Sequence, residues 1–311
     1  MSVVVPTSDR LNQLRECLDA VAAQDHPQFE IVVVDSRPTS SAAQEIALRI
    51  GATYVIEPRG GASRARNAGA AASNNDIIAF TDDDAIPAPS WLSALAIEFD
   101  DPRVMAVTGR VRPLSGLLVT ESDRLAASTG LSYSGGDEHF SLDRANEHWF
   151  ELANLGGLGI GPNMAFRRSA FEVWDGFDER LGPGTIIHGC EESRAFFSLV
   201  ERGFHVVYTP AALVLHPSPP PSDLQVRARY LNTLTASTAY LTLLMVEEPA
   251  YRRKTLAIVV AALRRTSRPW RLPVHLLYAP RTISRWRRLM ACLSGPVQYL
   301  RVRLQAGFSR R

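Results

Sequence analysis

Ile77-Ile78-Ala79-Phe80-Thr81-Asp82-Asp83-Asp84 is an apolar run that ends in three consecutive carboxylates. Four apolar residues in a row read as a buried strand. Acids packed at its carboxyl end repel one another unless a counter-charge neutralises them. Hard oxygen ligands suit a divalent cation, which commonly carries a substrate's phosphates as well. The pattern therefore predicts a metal–diphosphate site at the carboxyl edge of a sheet, where open α/β folds place their ligands. An acidic turn or a helix cap would use the same residue type.

The sequence before this stretch alternates strand-like and helix-like segments. Val3-Val4-Val5 is a strand, Pro6-Thr7-Ser8-Asp9 a turn, and Arg10 to Ala23 a helix through Leu11, Leu14, Leu18 and Val21. Phe29 to Val34 is a strand ending in Asp35, followed by a helix from Thr39 to Ile50 that Gly51 stops. Thr53 to Ile56 is a short strand, and Ser63 to Ser73 an Ala-rich helix behind the turn Gly60-Gly61-Ala62. Such alternation predicts a mainly parallel sheet covered on both faces. Further on, a helix starts at Pro89-Ser90-Trp91, and Val104 to Val107 and Asn163 to Phe166 read as strands. Helices follow from Ser169 to Trp174 and from Cys190 to Glu201. Val206 to Tyr208 and Leu213 to Leu215 are two short strands, the second ending at His216. Pro217 to Pro221 reads as a stiff linker.

Composition narrows the function classes. The 311 residues, 46% hydrophobic and 21% charged, suit one large or two modest globular domains. No G-x-G-x-x-G follows the first strand and no G-x-x-x-x-G-K-[ST] occurs, so neither a dinucleotide fingerprint nor a P-loop is expected. Cys17, Cys190 and Cys292 lack metal-ligand spacing, and their sparse count fits a reducing compartment. No basic segment with a signal-peptide core opens the sequence, and no apolar run reaches the ~18 residues of a membrane span. The expected location is cytoplasmic, either free or peripheral on the inner face of the plasma membrane. Charge is split. Residues 1–221 hold 17 Arg against 29 Asp and Glu, a net of −12, whereas residues 222–311 hold 17 basic residues against three acids, a net of +14. An acidic body with a basic tail points to an anionic surface as partner.

Several ordered blocks resemble the family 2 glycosyltransferases, with their GT-A fold. Ser2 to Thr7 is similar to that family's opening strand and turn, and Val32-Val33-Val34-Asp35 to the strand whose last acid reads the nucleotide base. Ala62-Ser63-Arg64-Ala65-Arg66-Asn67-Ala68-Gly69 resembles its donor-facing helix, and Asp82-Asp83-Asp84 its D-x-D metal motif. Gly161 to Arg168 with Gly176-Phe177-Asp178 resembles the acceptor-side segment, Glu191-Glu192 the acidic pair, and Tyr208-Thr209-Pro210 with His216 the closing block. These blocks cover about the first two thirds of the chain.

The resemblance implies an inverting transferase with a mixed α/β sheet, helices on both faces and a basic C-terminal helical extension. Residues 1–110 would bind the nucleotide-sugar (UDP-, GDP- or dTDP-linked), 111–221 would hold the hydroxyl acceptor, and 222–311 would be a basic amphipathic tail. Pro6, Thr7, Asp35, Arg64, Arg66, Asp82 and Asp83 would face the donor. Asp35 would accept from a base N–H, and the two arginines would offer forked donors to phosphate. Asp82 would take the ribose or donor sugar, while Asp83 alternates to the other side. Asp84 and His216 would hold Mn²⁺ or Mg²⁺, which stabilises the growing charge of a diphosphate leaving group. Glu192 would be the general base, with Glu191 beside it, and Asn163 and Arg194 would serve the acceptor. The chain departs from the family pattern here: Glu192 replaces the usual Asp, and Arg194 stands where another acid is common. A longer carboxylate shifts the base by about one methylene, and ~1 Å can be costly in rate. Two other functions share parts of this logic: a sugar nucleotidyltransferase and a non-catalytic sugar-binding protein at the membrane. The turn Pro6 to Asp9 is not the Gly-rich basic loop that the former carries.

Beyond residue 221 the pattern turns helical. Tyr230 to Val246 and Tyr251 to Leu263 are apolar on one face. Arg264, Arg265, Arg268, Arg271, Arg281, Arg285, Arg287 and Arg288 follow, interleaved with Trp270, Tyr278 and Trp286. Basic helices flanked by aromatics read as interfacial membrane segments, and the same residue types serve nucleic-acid binding. The resemblance to a family whose members often act on lipid-linked acceptors implies the membrane surface. The plain alternative is a helical subdomain packed on the catalytic body.

Overall fold

The structure is a computed structural model that describes residues 1–114, 137–155, 158–217, 223–264 and 283–308. In chain order the elements are β1 (Ser2–Thr7), α1 (Leu11–Ala22), β2 (Glu30–Ser36), α2 (Ala42–Arg49), β3 (Thr53–Glu57), α3 (Ala62–Ala72) and β4 (Ile77–Phe80). Then come β5 (Ile86–Pro87), α4 (Trp91–Glu98), β6 (Val104–Pro113), β7 (Phe140–Leu142), α5 (Trp149–Leu155), β8 (Met164–Arg167) and α6 (Arg168–Trp174). The last are α7 (Glu191–Glu201), β9 (His205–His216), α8 (Asp223–Glu247), a 3₁₀ turn (Pro249–Tyr251), α9 (Arg252–Arg264) and α10 (Arg285–Phe308).

One mixed sheet runs β3-β2-β1-β4-β8-β6-β9-β5, with β7 pairing β9. The first four strands are parallel, as their alternation with helices predicts. β8 is antiparallel to both β4 and β6, and β6 is parallel to β9. Two reversals therefore return β9 to the direction of β4. Its last residue, His216, emerges at the same carboxyl edge as Asp82.

Side chains alternate across the sheet with period two, and each set meets its own helices. Val3, Val5, Val33 and Ala79 pack with Leu14, Ile46 and Trp91, from α1, α2 and α4. Val4, Val32, Val34 and Phe80 point the other way, toward Ala65 of α3, Phe150 of α5 and Phe196 and Phe197 of α7.

One expectation is corrected, and two short strands went unforeseen. The two short strands near 206 and 213 are one strand, β9. Thr209 pairs with Gly109 and Leu213 with Arg110, so the residues between them form a bulge that accommodates the donor-less Pro210. The two-residue β5 and three-residue β7 escape a periodicity reading because they are too short to show one.

The tail is built into the body. Tyr240, Leu243 and Leu244 of α8, Ile258 of α9 and Tyr299 of α10 share the apolar cluster of Phe166, Phe196 and Phe197. Tyr251 stacks on Phe150, ring centroids 5.2 Å apart. Tyr240 Oη donates to Asn154 Oδ1 at 2.6 Å, and Arg180 forks onto Glu247 at 2.6 and 2.9 Å. Arg265, Arg268, Trp270, Arg271, Tyr278 and Arg281 lie outside the described residues, as does the expected domain boundary at 221.

Candidate active site

Parallel strands deliver the site's residues to one edge. Thr7 closes β1, Asp35 sits next to the end of β2, and Asp82 to Asp84 follow β4. His216 closes β9, and Glu191 and Glu192 open α7. Ligand atoms of Asp82, Asp84 and His216 all lie within 4.8 Å of one another.

Within this group His216 Nε2 is 3.1 Å from Asp84 Oδ1, and its Nδ1 is 3.0 Å from the Pro217 carbonyl oxygen. A donor at Nδ1 toward that carbonyl fixes the tautomer and leaves Nε2 toward the carboxylates, the arrangement second-shell partners give metal-binding histidines. Burial alone would lower the His216 pKa, but its hydrogen bond with Asp84 and that charge raise it. Asp84 moves oppositely: burial raises its pKa, and His216 and Arg10 together bring it below the ordinary value. Two hard carboxylates with one imidazole fit a divalent ion such as Mg²⁺ or Mn²⁺.

Asp83 has a different surrounding. It is 2% exposed, and Thr7 Oγ1 donates to its Oδ2 at 2.8 Å. Arg10 reaches its Oδ1 at 3.3 Å and also holds Asp84. Burial pushes the Asp83 pKa up to about 6 against the pull of Arg10 and Thr7. Asp83 thus ties the triplet to the end of β1. Pro6 is half-buried beside this contact. Sequence reasoning missed Arg10. Its signal was position: it is a cation just after β1, the strand that pairs with β4 and its acids.

Behind the acids lies a buried ion-pair chain. Arg66 donates from Nη2 to Asp82 Oδ1 at 3.3 Å and from Nη1 to Glu191 Oε1 at 3.0 Å. Both Arg66 and Glu191 are almost fully buried. Arg66 Nε and Glu191 Oε2 are buried without a hydrogen-bond partner. Glu192, next on α7, accepts from the Gly161 N–H at 2.9 Å through Oε1. A Cβ on Gly161 would collide with Arg66 Nη2 and stand 3.1 Å from Glu192 Oε1, so a side chain there would displace the buried guanidinium. Burial first, then the neighbouring Glu191 charge, drive the Glu192 pKa well above the ordinary carboxylate range.

The remaining candidates divide. Asp35 is buried at 2% exposure. Tyr54 Oη donates to its Oδ2 at 2.8 Å, while Oδ1 is buried with no partner. Burial raises its pKa despite the Tyr54 bond. Arg64 is tied to Glu179 at 3.1 Å and to the Gly60 carbonyl at 3.1 Å, a half-buried network at the rim. Arg194 pairs with Glu248, just past α8, at 2.8 Å and lies over the Phe197 ring. Asn163 is corrected. It is fully buried, accepts from Trp91 Nε1 at 2.8 Å, and donates to the carbonyls of Arg110 and Ala212 at 2.9 and 2.8 Å. Its amide brackets β6, β9 and α4, so no group remains to meet an acceptor.

The family model for glycosyl transferase family 2 matches residues 2–174, more than half of the sequence. This chain belongs to glycosyl transferase family 2. It is 30% identical over 223 residues to the pre-mycofactocin glycosyltransferase of Mycobacterium tuberculosis, a match covering 70% of this chain and 42% of that protein. It is 31% identical over 234 residues to glycosyltransferase AglE of Haloferax volcanii, covering 72% of this chain and 69% of AglE. The chain thus spans well under half the length of the first of these family 2 relatives. Among solved structures, S. aureus TarS 1-349 in complex with UDP-GlcNAc superposes with a TM-score of 0.53 at 15% identity, covering 99% of this chain and 91% of that one. At that identity the family 2 likeness is one of fold, and it bears out the GT-A expectation.

Proposed function

We propose that the protein is an inverting, metal-assisted glycosyltransferase that moves a sugar from a nucleoside-diphosphate donor to a hydroxyl acceptor. The observation that carries this reading is the grouping of Asp82, Asp84 and His216, linked through Arg66 to Glu191, the neighbour of Glu192. A donor-side charge trap and the residue next to the candidate base are joined by one side chain. Family membership and the named glycosyltransferase activities of the relatives support it.

Asp35 Oδ1, buried and unpaired, would accept a base N–H. TarS has been solved with UDP-GlcNAc and with UDP, which favours a uridine donor. Asp82, Asp84 and His216 would hold Mn²⁺ or Mg²⁺, and that ion would supply positive charge to the departing diphosphate. Glu192 then takes the acceptor hydroxyl's proton as the oxygen attacks the anomeric carbon. The bond to the diphosphate breaks with its electron pair going to the leaving group. Glu191 and Arg66 hold the base helix in register with the metal side. The acceptor is a hydroxyl of a glycan, lipid or small molecule, and the basic tail draws the enzyme to an anionic membrane surface.

Incubation with UDP-, GDP- and dTDP-sugars and Mn²⁺ tests this. Release of nucleoside diphosphate from one class supports transfer. Pyrophosphate release would mean a nucleotidyltransferase, and no metal-dependent binding of any donor would remove the enzyme reading.

A further inference from the structure

α10 carries its apolar residues on two opposite faces. Ala291, Gly295, Tyr299 and Val302 are buried. At ~100° per residue they span one arc of about 80°. This face lies against α8: Thr235 Oγ1 donates to the Ala291 carbonyl at 3.2 Å, and a Cβ on Gly295 would come within 2.5 Å of the Ala239 nitrogen. Tyr299 Oη donates to Glu247 at 3.0 Å. Trp286, Leu289, Leu293, Val297, Leu300 and Leu304 form a second arc of about 80°, centred roughly 160° from the first. Every one of these six is exposed, between 48% and 67%.

Apolar side chains in a row along a long helix, turned away from the body, are costly in water. The charges around them identify the occupant. Arg285 and Arg303 border the stripe on one side, and Arg301 and Arg287 on the other. All four are exposed, and α10 contains no Asp or Glu. We infer that α10 lies in the plane of an anionic phospholipid surface, with Trp286 to Leu304 in the acyl boundary and the flanking arginines among the headgroups. This rests on the reading of the tail as membrane-directed and names the element that makes the contact.

Both terms of interfacial binding are present, apolar burial and attraction to anionic lipid. Long arginine side chains can lie along the apolar surface and extend their charge outward. Among the described residues no helix is long and apolar enough to cross a membrane, so the helix rests on the surface. A second copy of the chain is a poor occupant. Two stripes face to face would bring rows of arginine together with no acid on either helix to neutralise them.

The test is flotation of the full chain with phosphatidylcholine vesicles containing phosphatidylglycerol, beside phosphatidylcholine alone. Binding is expected only to the anionic vesicles, weakening as salt is raised. Leu293→Glu with Val297→Glu should reduce it to background. Arg301→Glu with Arg303→Glu should weaken it by about 30-fold or more. Leu48→Glu, an exposed leucine on α2, should change nothing. No flotation at low salt would overturn the inference, as would flotation indifferent to the α10 variants. A concentration-dependent dimer in vesicle-free sedimentation that Leu293→Glu abolishes would also overturn it. Metal-dependent UDP binding by the same variants, measured without vesicles, separates this outcome from the transferase reading. Flotation without metal-dependent binding of any of the UDP-, GDP- or dTDP-sugars would sink that reading alone.

Discussion

Arg66 Nη1 and Glu191 Oε1 meet at 3.0 Å with both side chains almost wholly withdrawn from water. A buried pair of this kind contributes little beyond what apolar residues would, but removing one member strands the other charge. Arg66→Ala should therefore cost about 3–5 kcal/mol, read as a lowered urea midpoint. Arg66→Met combined with Glu191→Gln should recover much of that loss. A single variant as stable as wild type would show that the pair is not formed.

Glu192 links activity and stability with opposite signs. As the proposed base it must be ionised, and its raised pKa means that kcat should climb with pH well past the point where an exposed glutamate has finished ionising. Folding works the other way. The folded chain keeps the proton at pH values where the unfolded chain has lost it, so stability falls as pH rises between the two pKa values. Glu192→Gln should lower kcat by about 10²–10⁴-fold. Its Tm should exceed that of wild type at alkaline pH, with the gap closing below the ordinary glutamate pKa of about 4.3. A flat kcat profile would contradict the assignment.

Asp83 and Asp84, adjacent strand-end acids, should separate by function. Asp84→Ala and His216→Ala should erase the part of the UDP-induced Tm rise that needs Mn²⁺, as should chelation of the ion. Asp83→Asn should keep that part and lose some stability instead, because Asp83 is bound to Thr7 and Arg10. Loss of the Mn²⁺-dependent rise in Asp83→Asn alone would reverse the roles.

Asp35→Asn should weaken uridine nucleotide binding by roughly 10–150-fold, the range for a lost hydrogen bond to a charged acceptor. Pyrophosphate with Mn²⁺, which lacks a base, should bind as before. Calorimetric titration of both ligands distinguishes base reading from a general collapse of the site.

Gly295→Val should force α10 away from Thr238 and Ala239 of α8. Overpacking of this sort costs about 1–3 kcal/mol. Limited proteolysis should then cut within the last helix first.

Local chemistry made much of this legible in the sequence. Strand-end acids such as Asp35 and Asp84 declare themselves by following apolar runs, and alternation of strands and helices implies the parallel half of the sheet. The antiparallel insertion of β8 between β4 and β6 has no local signature, because pairing partners far apart in sequence are chosen by packing. The same limit hid the pairing of Arg66 with Glu191, 125 residues away. Asn163 misled for a related reason. A buried amide that satisfies three partners and one that greets a ligand look alike until burial is known. Family resemblance supplied the roles that neither periodicity nor spacing could, among them the base and the nucleotide-reading acid.

The knitting of Glu247 to Arg180 and of Glu248 to Arg194 has a practical corollary. Arg194 rides on the helix that carries Glu192 in its first turn, so the C-terminal region is a foundation for that helix and not a detachable accessory. A fragment ending near Pro217 would expose Phe196, Phe197 and their neighbours and should emerge as an insoluble half-protein. Swapping C-terminal regions between homologues would succeed only if the two arginines and their carboxylate mates travelled together.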